Sequence, residues 1–113
     1  MIEIEPGQLE VVRAILGRHV PECEVRAFGS RVTGGARPWS DLDLAVLGRR
    51  RLGFERVALL REAFEESTLP FRVDVVDWHA ISDGFRVVIE RRHEVVQPGA
   101  AERPWLGPGE PTA

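Results

Sequence analysis

Residues 29–46 read GSRVTGGARPWSDLDLAV, and this stretch decides where the chain turns and where its reactive groups lie. Gly29 follows an apolar segment at a point where the backbone must turn sharply, which glycine does most easily. Ser30 offers a hydroxyl, and a helix beginning there would add amides that bind phosphate. A plain strand-to-helix turn with Ser30 as its cap is the alternative. The pattern indicates a phosphate-binding turn followed by an acidic strand.

Two carboxylates, Asp41 and Asp43, stand at the start of that strand. Alternate strand residues share a face and lie about 6.7 Å apart, so the two carboxylates project together while Leu42 and Leu44 face the core. Neighbouring carboxylates repel one another unless a cation joins them, and Mg²⁺ binds such oxygen ligands together with substrate phosphates. Paired acids at a strand edge are often merely solvated, so the pair needs support from elsewhere in the chain.

A third carboxylate, Asp74, supplies that support. It lies within an apolar, β-branched segment that reads as a strand over 71–77, where an unpaired carboxylate would be costly. A neighbouring strand lies only about 4.8 Å away, which would allow a shared metal. Asp77, at the end of the same segment, is expected to serve as a turn residue.

Two further polar residues of the opening stretch, Arg31 and Ser40, are candidates for binding the phosphates of the nucleotide. Arg31 could hold phosphate or pair with an acidic neighbour. Ser40, directly before Asp41, could orient that carboxylate or cap the loop. Because none of the fifteen basic residues is Lys, phosphate would have to be bound by Arg, hydroxyls, backbone amides or metal.

Hydrophobic periodicity and turn residues predict an α/β fold: a mixed β-sheet of about four strands with helices packed against it. We expect residues 1–97 to form one domain and the Pro/Gly-rich residues 98–113 to form a flexible tail. The predicted elements are a helix over 8–19, strands over 24–28 and 42–47, a helix over 54–66, a strand over 71–77, a helix capped by Ser82 and ending near Arg91, and a short strand over 94–96.

Composition limits the classes of function. The chain has 113 residues, a net charge of −3 and a single cysteine, Cys23. No apolar run approaches the roughly eighteen residues of a membrane span. These features favour a reduced cytoplasmic protein that neither enters membranes nor binds nucleic acid directly.

The Gly29-Ser30 turn, the Asp41-Leu42-Asp43 pair and the distant Asp74 together resemble the pattern of the nucleotidyltransferase superfamily related to DNA polymerase β. The chain is more closely similar to the minimal nucleotidyltransferases, or MNT proteins, over residues 8–97. Those proteins are of this length and often carry Gly-Ser-Arg and Ser-Asp-x-Asp-Leu segments, as found here from Gly29 and from Ser40.

The resemblance implies transfer of AMP from ATP. Asp41 and Asp43 would hold the Mg²⁺ that binds the triphosphate. Asp74 would bind a second metal and help to deprotonate the attacking hydroxyl. Gly29 and Ser30 would hold the terminal phosphates as pyrophosphate leaves.

The resemblance also implies a protein partner. Many MNT proteins are similar to antitoxins that adenylylate a tyrosine of a HEPN-domain toxin, which is the type VII mode of neutralisation. Two alternatives remain open: neutralisation of the partner by occlusion alone, and nucleotide transfer to a small molecule. The chain could act as a homo-oligomer or as a hetero-oligomer with the toxin.

Overall fold

Four strands form one mixed sheet in the computed structural model, which describes residues 2–100. Their spatial order is β3-β2-β1-β4; β1 pairs antiparallel with β2 and β4, and β2 pairs parallel with β3. The strands are β1 Glu24–Phe28, β2 Leu42–Leu47, β3 Val73–Asp77 and β4 Glu94–Gln97. The helices are α1 Pro6–His19, α2 Ser30–Thr33, α3 Phe54–Glu65 and α4 Asp83–Arg91, with a 3-10 turn over Trp78–Ala80.

The predicted α/β fold with a four-stranded mixed sheet is confirmed, and element ends differ by one or two residues. Helix α1 starts two residues early because Glu5 and Gln8 form a reciprocal capping box around Pro6. Strand β3 starts two residues late, at Val73. The Ser82 cap is as expected, since its hydroxyl accepts a hydrogen bond from the Phe85 amide at 3.1 Å.

One face of the sheet carries the hydrophobic core. Helices α1 and α3 pack against each other, and α3 packs on β3. The strands contribute alternate residues to this face, as their pleat requires. The fully buried strand residues on it are Val25, Ala27, Leu42, Leu44, Val46 and Val75.

The opposite face of the same strands is more polar and lies under α4. Phe28 of β1 meets Phe85 of α4 edge to face, with ring centroids 5.5 Å apart. Asp43 of β2 and Asp74 of β3 alternate with core residues and so belong to this second face. The fold therefore separates the hydrophobic core from the sheet face that carries Asp43 and Asp74.

Asp77 takes the structural role that the sequence suggests for it. Its buried carboxylate accepts hydrogen bonds from the Leu52 amide at 2.7 Å and the His79 amide at 3.0 Å. It therefore ties the segment after β2 to the turn after β3 and lies on the core side, away from Asp74.

The far end of the described chain runs beside β1, where the Ala100 amide donates to the Glu22 carbonyl at 3.2 Å. The rest of the predicted tail, residues 101–113, lies outside the described residues. Within residues 2–100, no helix has both the length and the apolar character that crossing a membrane requires.

Candidate nucleotide and metal site

The parallel pairing of β2 with β3 brings the predicted carboxylates together. Asp43 and Asp74 are direct register partners, and Asp41 lies two residues before Asp43, just ahead of the strand. Asp43 and Asp74 are half-buried, whereas Asp41 is exposed. The sequence predicts that Asp74 lies in the middle of a strand among apolar residues, but it is the second residue of β3, an edge strand, and is only half-buried.

Asp43 occupies the centre of this acidic cluster. Burial, and after it the charges of Asp74 and Asp41, together raise the pKa of Asp43 from 3.8 to about 6. None of the causes acting on its pKa lowers it. Within residues 2–100, no cationic side chain therefore offsets the charge of Asp43, and a bound cation would relieve the repulsion that this charge meets.

The donor set suits Mg²⁺ in kind, since Mg²⁺ prefers carboxylate oxygens and completes its shell with water and phosphate oxygens. In residues 2–100, however, no three Asp, Glu, His or Cys side chains converge as a finished metal site. Mutual repulsion of carboxylates disfavours such convergence. The assignment of Asp41, Asp43 and Asp74 as metal ligands thus stays a prediction, supported by their register and charge.

Gly29 lies directly against the central carboxylate. Phe28, the last residue of β1, is the register partner of Asp43, and Gly29 follows with φ of 80°. A Cβ atom at Gly29 would overlap Oδ2 of Asp43. The position therefore demands glycine twice over, for its backbone conformation and for its missing side chain.

Helix α2 begins at this turn. The amides of Val32 and Thr33 donate to the Gly29 carbonyl at 3.0 and 2.9 Å, which closes the first turn on the glycine. Ser30 is the first helical residue and is exposed. The predicted phosphate turn and the predicted carboxylate pair are thus neighbours in space.

Arg31 and Ser40 do not have the phosphate-facing positions expected of them. Arg31 is 5% exposed, and its three guanidinium nitrogens all donate to backbone carbonyls, so it has neither phosphate access nor an acidic partner in these contacts. Ser40 caps the loop, because its Oγ accepts from the Arg37 amide at 2.8 Å. The loop-capping alternative therefore describes Ser40, and the donors of Arg31 are already occupied.

Sequence reasoning missed the neighbours that the second sheet face supplies. Trp78 lies beside the guanidinium groups of both Arg26 and Arg86, at 5.2 and 5.7 Å from its ring centroid. The alternation of Glu24, Arg26 and Phe28 along β1 could have placed Arg26 on the same sheet face as Asp43. The contact of Arg26 with Trp78, in the segment after β3, could not have been found from local sequence.

Comparison with known proteins gives a consistent family and fold. Residues 17–97 match the family described as polymerase beta, nucleotidyltransferase. The chain is 45% identical over 96 residues to a probable protein adenylyltransferase MntA of Haemophilus influenzae, covering 85% of this chain and 84% of that protein.

Solved structures show the same fold. A crystal structure of a toxin–antitoxin with AMP-PNP superimposes with a TM-score of 0.68 at 23% identity, covering 83% of this chain and 76% of its own. A chain from the structure of a tri-AMPylated Shewanella oneidensis HEPN toxin in complex with MNT antitoxin superimposes with a TM-score of 0.66 at 20% identity. The match covers 88% of this chain and 76% of that chain.

Two glycines with nearly equal φ angles allow the Gly29–Asp43 contact to be measured. Gly29 has φ of 80° and Gly35 has φ of 79°, but nothing lies within 4 Å of a Cβ at Gly35. We expect Gly35→Ala to lose about 1–2 kcal/mol of unfolding free energy from backbone strain alone. Gly29→Ala should lose at least ~1 kcal/mol more because of overlap with Asp43. Urea denaturation of both variants, with Asp43 present and again in an Asp43→Ala background, measures the difference. Equal losses of the two glycine variants in the protein that retains Asp43 would contradict the contact.

The raised pKa of Asp43 predicts a pH-dependent gain from Asp43→Asn. Ionisation of Asp43 costs the folded state stability, so the penalty is absent below about pH 4 and complete above about pH 7. The full shift would correspond to ~3 kcal/mol, which solvent screening of a half-exposed group reduces to about 1 kcal/mol. Denaturation at pH 7.5 should show Asp43→Asn to be more stable than the wild type, and at pH 4 the two should coincide. The exposed Asp83→Asn variant is the control, and a gain that is larger at pH 4 would refute the assignment.

Proposed function

The chain belongs to the polymerase beta nucleotidyltransferase family, and we propose that it is a Mg²⁺-dependent adenylyltransferase that acts as an antitoxin on a HEPN-domain partner. The observation that carries this proposal is the position of Asp43, which lies beside Asp74 on one side and against Gly29 on the other. One small region thus offers carboxylates for a metal and a backbone turn for phosphate.

The roles of the residues follow from their positions. Ser30 begins α2 directly after Gly29, and the first amides of a helix lack partners within the helix and favour an anion. The terminal phosphates would lie there. Asp41 and Asp43 would hold Mg²⁺, which when bound supplies charge neutralisation and orientation of the triphosphate. Asp74, on the open edge of the sheet, would face the acceptor.

The transfer itself is a displacement at the α-phosphorus of ATP. An acceptor hydroxyl oxygen forms a bond to that phosphorus, the bond from phosphorus to the bridging oxygen of the β-phosphate breaks, and pyrophosphate leaves. The Asp74 carboxylate, directly beside Asp43, accepts the proton of the hydroxyl as the new bond forms. The proposed product is an AMP ester of the acceptor.

A tyrosine of a partner protein is the proposed acceptor. The relatives support a protein as the acceptor: one is named as a probable protein adenylyltransferase, and a solved complex pairs an MNT antitoxin with a tri-AMPylated HEPN toxin. This chain contains no tyrosine of its own. Dependence on ATP and a buried, free Cys23 fit the proposed location in the cytoplasm.

Transfer to the partner is the direct test. Purified protein, a HEPN-domain protein encoded beside it, MgCl₂ and α-³²P-labelled ATP should give a labelled partner. An Asp41→Asn, Asp43→Asn double variant should lower the labelling rate at least ~100-fold, because the triphosphate would lose its metal. Asp83→Asn, which changes an exposed carboxylate at the start of α4, is the matched control and should label normally.

Each possible result has a distinct meaning. Labelling that persists in the double variant would exclude the proposed roles of Asp41 and Asp43. A double variant that fails to label the partner yet still rescues cells from it would favour neutralisation by occlusion. Partner labelling that is absent even with the wild-type protein would exclude protein adenylylation of that partner.

A further inference from the structure

Arg31 connects the phosphate turn to the loop that carries the acidic pair. We propose that Arg31 is a positioning residue, which fixes Asp41 relative to Gly29 and Ser30 by holding the backbone of the intervening loop. The consequence for metal and nucleotide rests on the proposed function, whereas the ordering of the loop does not. Its position, one residue after Ser30 and 5% exposed, prevents it from meeting a ligand directly.

The guanidinium group holds the loop immediately before Asp41. Its Nε donates to the Ser40 carbonyl at 2.9 Å, and its Nη2 donates to the Pro38 carbonyl at 3.0 Å and the Arg37 carbonyl at 3.4 Å. These carbonyls belong to three of the four residues that directly precede Asp41. Hydrogen bonds to a charged donor are among the stronger ones, so the loop is fixed from within.

The same side chain fixes the N-terminal segment over the turn. Its Nη1 donates to the Glu3 carbonyl at 2.7 Å, and the Glu3 amide donates back to the Arg31 carbonyl at 2.6 Å. The segment before α1 therefore packs against α2 through side-chain and backbone bonds of one residue.

The flat face of the guanidinium also contacts the entry to β3. Its Cζ lies 4.1 Å from the ring centroid of Phe71, which is 8% exposed. The next residue, Arg72, accepts a hydrogen bond from the Leu42 amide at 2.9 Å, where β2 and β3 meet. Arg31 thus touches both chain segments that lead to the carboxylates of Asp41 and Asp74.

Only arginine suits this position. A planar guanidinium presents donors in several fixed directions and stacks on an aromatic ring, whereas a lysine ammonium is a compact charge with no flat face. A buried charge also requires its hydrogen bonds to be satisfied, and at Arg31 the acceptors are backbone carbonyls. Arg31→Lys should keep the positive charge and lose the hydrogen bonds that hold the loop.

Hydrogen exchange and ligand-induced stabilisation of the full chain test this role together. In Arg31→Lys, the amides of Arg37 and Ser40, which are hydrogen-bonded within the loop, should exchange on the order of tenfold faster. Amides of the central strand β2 should keep their wild-type exchange. The rise in melting temperature caused by MgCl₂ with AMP-PNP should fall to less than about half of the wild-type rise, since a disordered loop must be ordered on binding.

Arg13→Lys is the matched control, because Arg13 also donates to a backbone carbonyl, that of Val96 at 3.1 Å, but lies on α1. It should leave loop exchange and the ligand-induced shift unchanged. If Arg31→Lys does not fold, Phe71→Leu replaces it and should accelerate the same loop amides, because it removes the ring under the guanidinium and keeps every donor.

The outcomes separate this proposal from the proposed function. Wild-type exchange at Arg37 and Ser40 in the variant would overturn it. Faster loop exchange with an undiminished ligand-induced shift would also overturn it, since the loop would then be irrelevant to the site. If the wild-type protein shows no shift with MgCl₂ and AMP-PNP, the proposed nucleotide site fails, and exchange alone decides whether Arg31 orders the loop.

Discussion

Repulsion between carboxylates on adjacent strands is the constraint on which the arrangement of this domain depends. The parallel pairing of β2 and β3 places Asp43 beside Asp74 at a separation of about 4.8 Å between strands, and Asp41 adds a third charge nearby. A sheet selected for stability alone would avoid this pairing, because the charge of Asp43 is partly desolvated. The cost is understandable if the carboxylates serve a cation.

The remainder of the site is built to keep this acidic cluster in place. Gly29 leaves no side chain between the backbone turn and Asp43, so the turn can approach the carboxylate closely. Arg31 carries a positive charge, but its guanidinium donates hydrogen bonds to carbonyls of the loop and of Glu3 rather than to the carboxylates. Within residues 2–100, no arginine offsets the charge of Asp43, so the cluster keeps the negative charge that the proposed metal site would require. The guanidinium of Arg31 thus holds the loop and leaves the charge of Asp43 unchanged.

Local sequence predicted the strands and the acidic residues well, because alternation and glycine turns are local properties. The bounds of β1 and β2 were those expected, and so was the grouping of Asp43 with Asp74. The environment of Arg31 could not be predicted, because its partners come from the N-terminal segment, the loop and the entry to β3. Neither could the edge position of Asp74, since strand order depends on contacts between distant segments.

One structure would test most directly whether the Gly29 turn and the three carboxylates form a single nucleotide site. Crystals of the protein grown with AMP-PNP and Mn²⁺, in place of Mg²⁺, would locate the metal by its anomalous scattering. We predict metal density within coordination distance of the Asp43 carboxylate and a triphosphate whose terminal phosphates contact the amides at Ser30. Metal bound elsewhere, or a triphosphate remote from Gly29 and Ser30, would contradict the proposed site.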